Sequence, residues 1–142
     1  MGLNVSDVLT LDDVRLGGKV VLYRVDVNSP LEPSSGAFLD DSRLRAIIPT
    51  LRTLQNSKVI IIGHQSRPGK IDFTNMEQHA DRISRLMGKK VNFVPDICGE
   101  EAIQAINDLK VGEILFLDNI RMHDEENSMK KSSLEQTSQS EI

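Results

Sequence analysis

Two kinds of apolar pattern alternate along the chain. Lys19 to Val27 carries Val20, Val21, Leu22, Val25 and Val27 with few turn formers, the near-continuous run of a parallel strand covered on both faces. Lys58 to Ile62, Val91 to Val94 and Glu113 to Leu117 repeat that form more briefly, which predicts four strands. Between them the apolar spacing becomes helical. It runs through Leu44, Ile47, Ile48, Leu51 and Leu54, then Met76, Ala80, Ile83, Leu86 and Met87, then Ile103, Ile106 and Leu109.

Polar residues around these runs predict where each element starts and stops. Asp40 and Asp41 offer N-caps for the first helix, Thr74 and Glu77 form a T-x-x-E capping box for the second, and Pro95 with Asp96 starts the third. Gly88 closes the second helix. Pro49 violates the helical rule: an interior proline costs roughly 3 kcal/mol and removes a backbone hydrogen bond, so a kink or a late-starting helix is expected there. Asn28 to Gly36, NSPLEPSSG, must be a loop. Residues 1–18 read as a polar lead-in with a short helical or turn segment around Leu11 to Val14. Residues 122–142 read as a polar tail that starts a helix, which leaves 1–121 as the α/β part.

Strands alternating with helices at this spacing predict an α/β fold, a parallel sheet with right-handed crossovers. Such a sheet points the same strand ends at one rim, and ligands bind beyond the carboxyl ends. Three of those ends are chemically specific: Arg24, Asp26 and Asn28; His64 and Arg67; Asp118 and Arg121. Arg43 falls in the first turn of the helix after the first loop. Arg45 lies about 200° further round it, so only one of the two can face the rim.

Composition narrows the chemistry. The 142 residues are about one domain, with 39% hydrophobic residues, 4% aromatics, no tryptophan and a net charge of -4. This argues against a stacking surface for single-stranded nucleic acid and against global attraction to nucleic acid or anionic membrane. The single cysteine, Cys98, fits a reducing cytosol, and His64, His79 and His123 are too scattered to make a metal site by spacing. No apolar run is long enough to span a bilayer. Gly63 to Lys70, GHQSRPGK, is not a Walker A loop. Pro68 interrupts it, Ile71 stands where a magnesium-binding hydroxyl is required, and no GxGxxG occurs elsewhere, so nucleotide binding by this chain is unsupported.

What remains is an arginine-rich rim on an acidic protein. Guanidinium groups grip phosphate or carboxylate through paired, charge-assisted hydrogen bonds, and several converging on one rim repel each other unless an anion neutralises them. The same residues also fit structural bridges to Asp26, Asp41 and Asp118. Patterning leaves both readings open.

Four stretches, RVDVNSP (Arg24 to Pro30), LDDSRLRAIIPTL (Leu39 to Leu51), GHQSRPG (Gly63 to Gly69) and LDNIR (Leu117 to Arg121), stand in order and spacing as in the amino-terminal domain of phosphoglycerate kinase. The chain resembles that family from about Gly18 to its end, and its HQSRPGK form is similar to the archaeal branch. The resemblance implies a three-layer α/β/α Rossmann-like sheet, incomplete here at about four of the family domain's six strands, with a proline at the place of Pro49. It implies a cytoplasmic glycolytic kinase that transfers a phosphoryl group reversibly between 1,3-bisphosphoglycerate and Mg-ADP, giving 3-phosphoglycerate and Mg-ATP.

By resemblance, Asp26 and Asn28 address the glycerate hydroxyl and neighbouring oxygens, Arg67 and Arg121 clamp the 3-phosphate with His64 beside them, and Arg24 buttresses the patch. Arg43 is the catalytic residue, reaching the end where the phosphoryl group arrives; phosphoryl transfer is mostly positioning and charge stabilisation. Asp118 and Met122 depart from the glutamate and aromatic usual around the last arginine. Family members are much longer, so the resemblance implies a chain without the later strands, which would pack beside the first strand. By the same resemblance, the hinge and the carboxyl-terminal nucleotide domain are expected to be missing from it as well. The chain alone is then expected to bind no nucleotide and not to turn over. The alternatives are a non-enzymatic anion-binding module and a structural or interaction fragment whose arginines are internally paired.

Overall fold

The computed structural model describes residues 5–128. Its strands are β1 (Val20–Arg24), β2 (Lys58–Ile62), β3 (Val91–Phe93) and β4 (Ile114–Phe116). The helices are α1 (Ser42–Ala46), α2 (Ile48–Thr53), α3 (Glu77–Met87), α4 (Glu100–Asp108) and α5 (Asp124–Ser128), with short 3-10 turns at Leu11–Asp13 and Ile120–Met122. All strand pairs are parallel, in the order β1-β2-β4-β3, with Leu22 opposite Ile60 and Ile60 opposite Leu115.

That order dictates the layers. The steps from β1 to β2 and from β2 to β3 run the same way across the sheet, whereas β3 to β4 steps back, so right-handed crossovers place α1 to α3 on one face and α4 on the other. The first face holds the main core: Val25, Leu44, Leu51, Val59, Ile61, Met76, Ile83 and Phe116 among others. The second holds a smaller one of Ile60, Val94, Ala102, Leu109, Leu115 and Leu117. Among the described residues no helix is long and apolar enough to cross a membrane.

Three local expectations change. β1 is not covered on both faces: α4 lies over the β3 and β4 side of its layer, and Val20 and Leu22 are 55% and 62% exposed. The Thr74–Glu77 capping box does not form; Met76 is the N-cap of α3, and its N–H donates to the Asp118 carboxylate 3.1 Å away, a partner from the end of β4. Helix α4 starts at Glu100 rather than at Pro95, and Asp96 caps it from a distance by accepting from the N–H groups of Ile97, Gly99 and Ala102. Asp41, the N-cap of α1, makes no side-chain cap bond; Asp40 accepts from Ser42 N–H at 2.7 Å. Pro49 does break the first helix, standing at the start of α2 where its missing N–H costs nothing. Gly88 ends α3 at φ 65°. Of the polar tail, residues 129–142 lie outside the described residues.

Candidate functional site

The carboxyl ends of β1, β2 and β4 meet because β2 lies between the other two. Beyond β2 the chain passes against the end of β1, where a Cβ on Gly63 would stand 3.2 Å from the Val25 carbonyl oxygen and from Val27 Cγ2. Glycine permits that approach. The loop that follows, Gly63 to Gly69, is thereby laid alongside Val25 to Pro30.

A continuous string of polar contacts runs along this rim. Arg43 Nη1 donates to Asp26 Oδ1 at 3.0 Å and to the Asn28 carbonyl at 2.8 Å. Asn28 Oδ1 accepts from Ser66 N–H at 2.9 Å, and the Ser66 carbonyl accepts from Arg121 Nη1 at 2.9 Å. Arg121 Nε lies 3.6 Å from Glu126 Oε2, while Glu126 Oε1 lies 3.6 Å from Arg24 Nη2. His64 sits within the influence of the same groups. Burial first, and then the Arg121 guanidinium, hold its pKa below the usual 6.5; the Glu126 and Asp26 carboxylates pull the other way, and Arg24 adds to the lowering. The imidazole is therefore neutral at pH 7.

Arg24, Asp26, Asn28, Arg43, His64 and Arg121 are thus brought together. Arg67, one residue beyond Ser66, is exposed, and its guanidinium has no partner among the described residues. Arg45 turns away, as the helical angle requires, to pair with Asp41 at 2.8 Å. Asp118 is buried and serves backbone N–H groups of Met76 and Asn119. An open cleft of about 520 Å³ lies beside Arg43, between the Asn28–Pro30 loop, Asp40, Ser42 and Asp72.

Beneath the rim is a buried polar layer that pattern reading missed. The Gln65 amide clamps Ser29, with Nε2 donating to its carbonyl at 2.9 Å and Oε1 accepting its N–H at 3.0 Å. The same Oε1 lies 3.0 Å from His79 Nε2, which fixes that nitrogen as the protonated one and leaves buried Nδ1 a bare acceptor with no hydrogen bond. Burial pushes His79 down to about 4, against an opposing effect of the nearby Val27 carbonyl. Asn119 Nδ2 donates to the Gln65 and Thr74 carbonyls at 2.9 and 2.8 Å, tying the β4 end to the β2 loop. Glu126 was likewise missed, being one of several acids in a polar stretch. The only available signal for Gln65 was its place between His64 and Ser66. Among the described residues no group of three or more His, Cys, Asp or Glu could hold a metal ion.

A parallel, layered α/β domain with a basic rim at its carboxyl strand ends is the class defined by fold and geometry. The sequence model of one family, described as phosphoglycerate kinase, matches residues 11–141. The chain belongs to the phosphoglycerate kinase family. It is 50% identical over 118 residues to the phosphoglycerate kinase of Methanocorpusculum labreanum, covering 83% of this chain and 29% of that one. The phosphoglycerate kinase of Methanosarcina mazei is 44% identical over 128 residues, 90% of this chain and 30% of that one. The crystal structure of phosphoglycerate kinase from Pyrococcus horikoshii superposes with a TM-score of 0.80 at 38% identity, over 84% of this chain and 29% of that one. The chain thus spans about three-tenths of the length of these relatives.

Proposed function

We propose that this chain carries the 3-phosphoglycerate-binding part of a cytoplasmic phosphoglycerate kinase, with the ligand lying along the rim. In this reading Arg67 and Arg121 grip the 3-phosphate with His64 beside them, and Asp26 and Asn28 address the glycerate oxygens. Arg24 supports the patch, and Arg43 faces the end at which the phosphoryl group is transferred. Mg-ADP and Mg-ATP are assigned to sequence that the relatives have and this chain does not span.

The observation that carries the reading is Arg67. A fragment whose arginines merely pair with each other's acids accounts for the Arg43–Asp26 contact and for Glu126, but not for an arginine left without a partner one residue beyond the carbonyl that holds Arg121. A phosphate there would satisfy both guanidinium groups and relieve their repulsion. Calorimetric titration of the chain with 3-phosphoglycerate tests this. Saturable binding is expected, weakened about tenfold or more by Arg67→Ala, the loss of a charge-assisted contact, with D-glycerate binding far more weakly. Equal binding of 3-phosphoglycerate and D-glycerate, or indifference to Arg67→Ala, overturns it.

A further inference from the structure

Ser66 stands out because, among the described residues, it is the one non-glycine with a positive φ, at 58°. An L side chain avoids this region because its Cβ crowds the backbone, and glycine would take it freely. The serine is retained in that conformation by bonds from three sides. Its N–H donates to Asn28 Oδ1 at 2.9 Å, its carbonyl accepts from Arg121 Nη1 at 2.9 Å, and its hydroxyl donates to Asp72 Oδ1 at 2.5 Å. The first two bonds join the ends of β1 and β4 through the backbone of one residue of the β2 loop. The third closes a loop between residues 66 and 72, and Arg67 is the first residue inside it.

We infer that Ser66 is a positioning residue of the anion site: its left-handed backbone, locked by the hydroxyl bond to Asp72, anchors Arg121 and aims Arg67 at the same ligand. The inference rests on the reading under Proposed function and goes beyond it. Without the hydroxyl, the loop keeps its fold but Arg67 samples more directions, and the binding energy spent on ordering it rises. A residue that cannot hold the left-handed conformation displaces the carbonyl from Arg121 as well.

Two variants separate these effects from a merely structural turn. Ser66→Gly keeps the backbone conformation and removes the hydroxyl, whereas Ser66→Ala removes the hydroxyl and opposes the conformation. Dissociation constants for 3-phosphoglycerate and melting temperatures are measured for both and for the parent chain. The expected result is about fivefold weaker binding for Ser66→Gly, the size of one lost hydrogen bond, at an unchanged or raised melting temperature, and a larger loss for Ser66→Ala. If the parent chain binds and Ser66→Gly binds equally tightly, Ser66 is only a turn residue and this inference fails while the site assignment stands. If the parent chain itself shows no saturable binding, the site assignment fails and takes the inference with it.

Discussion

At the scale of single residues, the rim neutralises part of its own charge. Glu126 places one carboxylate oxygen against each of Arg24 and Arg121. Both contacts are long; the Arg24 side chain is mostly exposed whereas Arg121 and Glu126 are largely covered, so the contact to Arg24 is the weaker one and the first that a bound dianion would displace. Glu126→Gln should therefore tighten 3-phosphoglycerate binding by about threefold in a titration, since a pair with an exposed partner such as Arg24–Glu126 contributes at most about 1 kcal/mol; weaker binding would mean that Glu126 orients the arginines instead. His79 gives a second prediction. Folded, it sits at about 4 against a usual 6.5, so between those values the unfolded chain binds a proton that the folded chain does not. Stability contributed by the neutral ring is complete above pH 6.5 and is lost as pH falls toward 4, by on the order of 3 kcal/mol. Denaturant unfolding at about pH 7 and about pH 4 should show that loss, and His79→Gln should remove the part of the slope within this window. Rim residues such as Arg24, Asp26 and Arg121 were legible in the sequence because a charge at the end of an apolar run is conspicuous. Gln65, Ser66 and Asn119 were not, because each role depends on a partner far off in the chain: Ser29 is 36 residues from Gln65, Arg121 is 55 from Ser66, and Gln65 is 54 from Asn119.

At the scale of elements, the apolar periods located the four strands and the helices α1 to α4, though not the polar α5, and Lys58–Ile62 has the bounds its pattern predicts. Among the helices the errors fall on the starts, and at α3 a cap supplied by tertiary structure replaced the one read locally. Asp118 is the clearest case. Its carboxylate accepts from Met76 N–H at the start of α3 and from Asn119 N–H, although it lies 42 residues from Met76. Asp118→Ala would leave two buried donors without that acceptor and should destabilise the chain by about 1–3 kcal/mol, measured by chemical denaturation. No change would show that α3 is capped by Asn75, whose Oδ1 accepts from Glu77 N–H at 3.2 Å. Pro49 shows the opposite lesson: a residue that breaks a pattern marked the junction between α1 and α2.

For the molecule as a whole, β1 is an outer strand of the sheet, with Val20 and Leu22 exposed on the face that carries α4, because α4 does not extend over β1. A strand edge that has no partner among the described residues and carries exposed apolar side chains is a template for association. Concentrated chain should self-associate, as read by light scattering, and Leu22→Lys should reduce it; a monomer at all concentrations would count against this. The sequence pattern could not reveal that exposure, because an apolar strand reads the same whether or not a neighbour covers it. The same chain spans 29% of its relative from Methanocorpusculum labreanum. Supplied alone with 1,3-bisphosphoglycerate and Mg-ADP, it should therefore form no ATP in a coupled assay, and ATP formation would overturn the assignment of the nucleotide site to sequence beyond it. Amide chemical shifts followed during titration with 3-phosphoglycerate address the gathering of the three strand ends into one anion site. The site predicts saturable shifts with a single dissociation constant at Asn28, Ser66, Arg67 and Arg121, and silence around α4 on the far face. Shifts scattered over the surface without saturation, or confined to one of the strand ends, would contradict it.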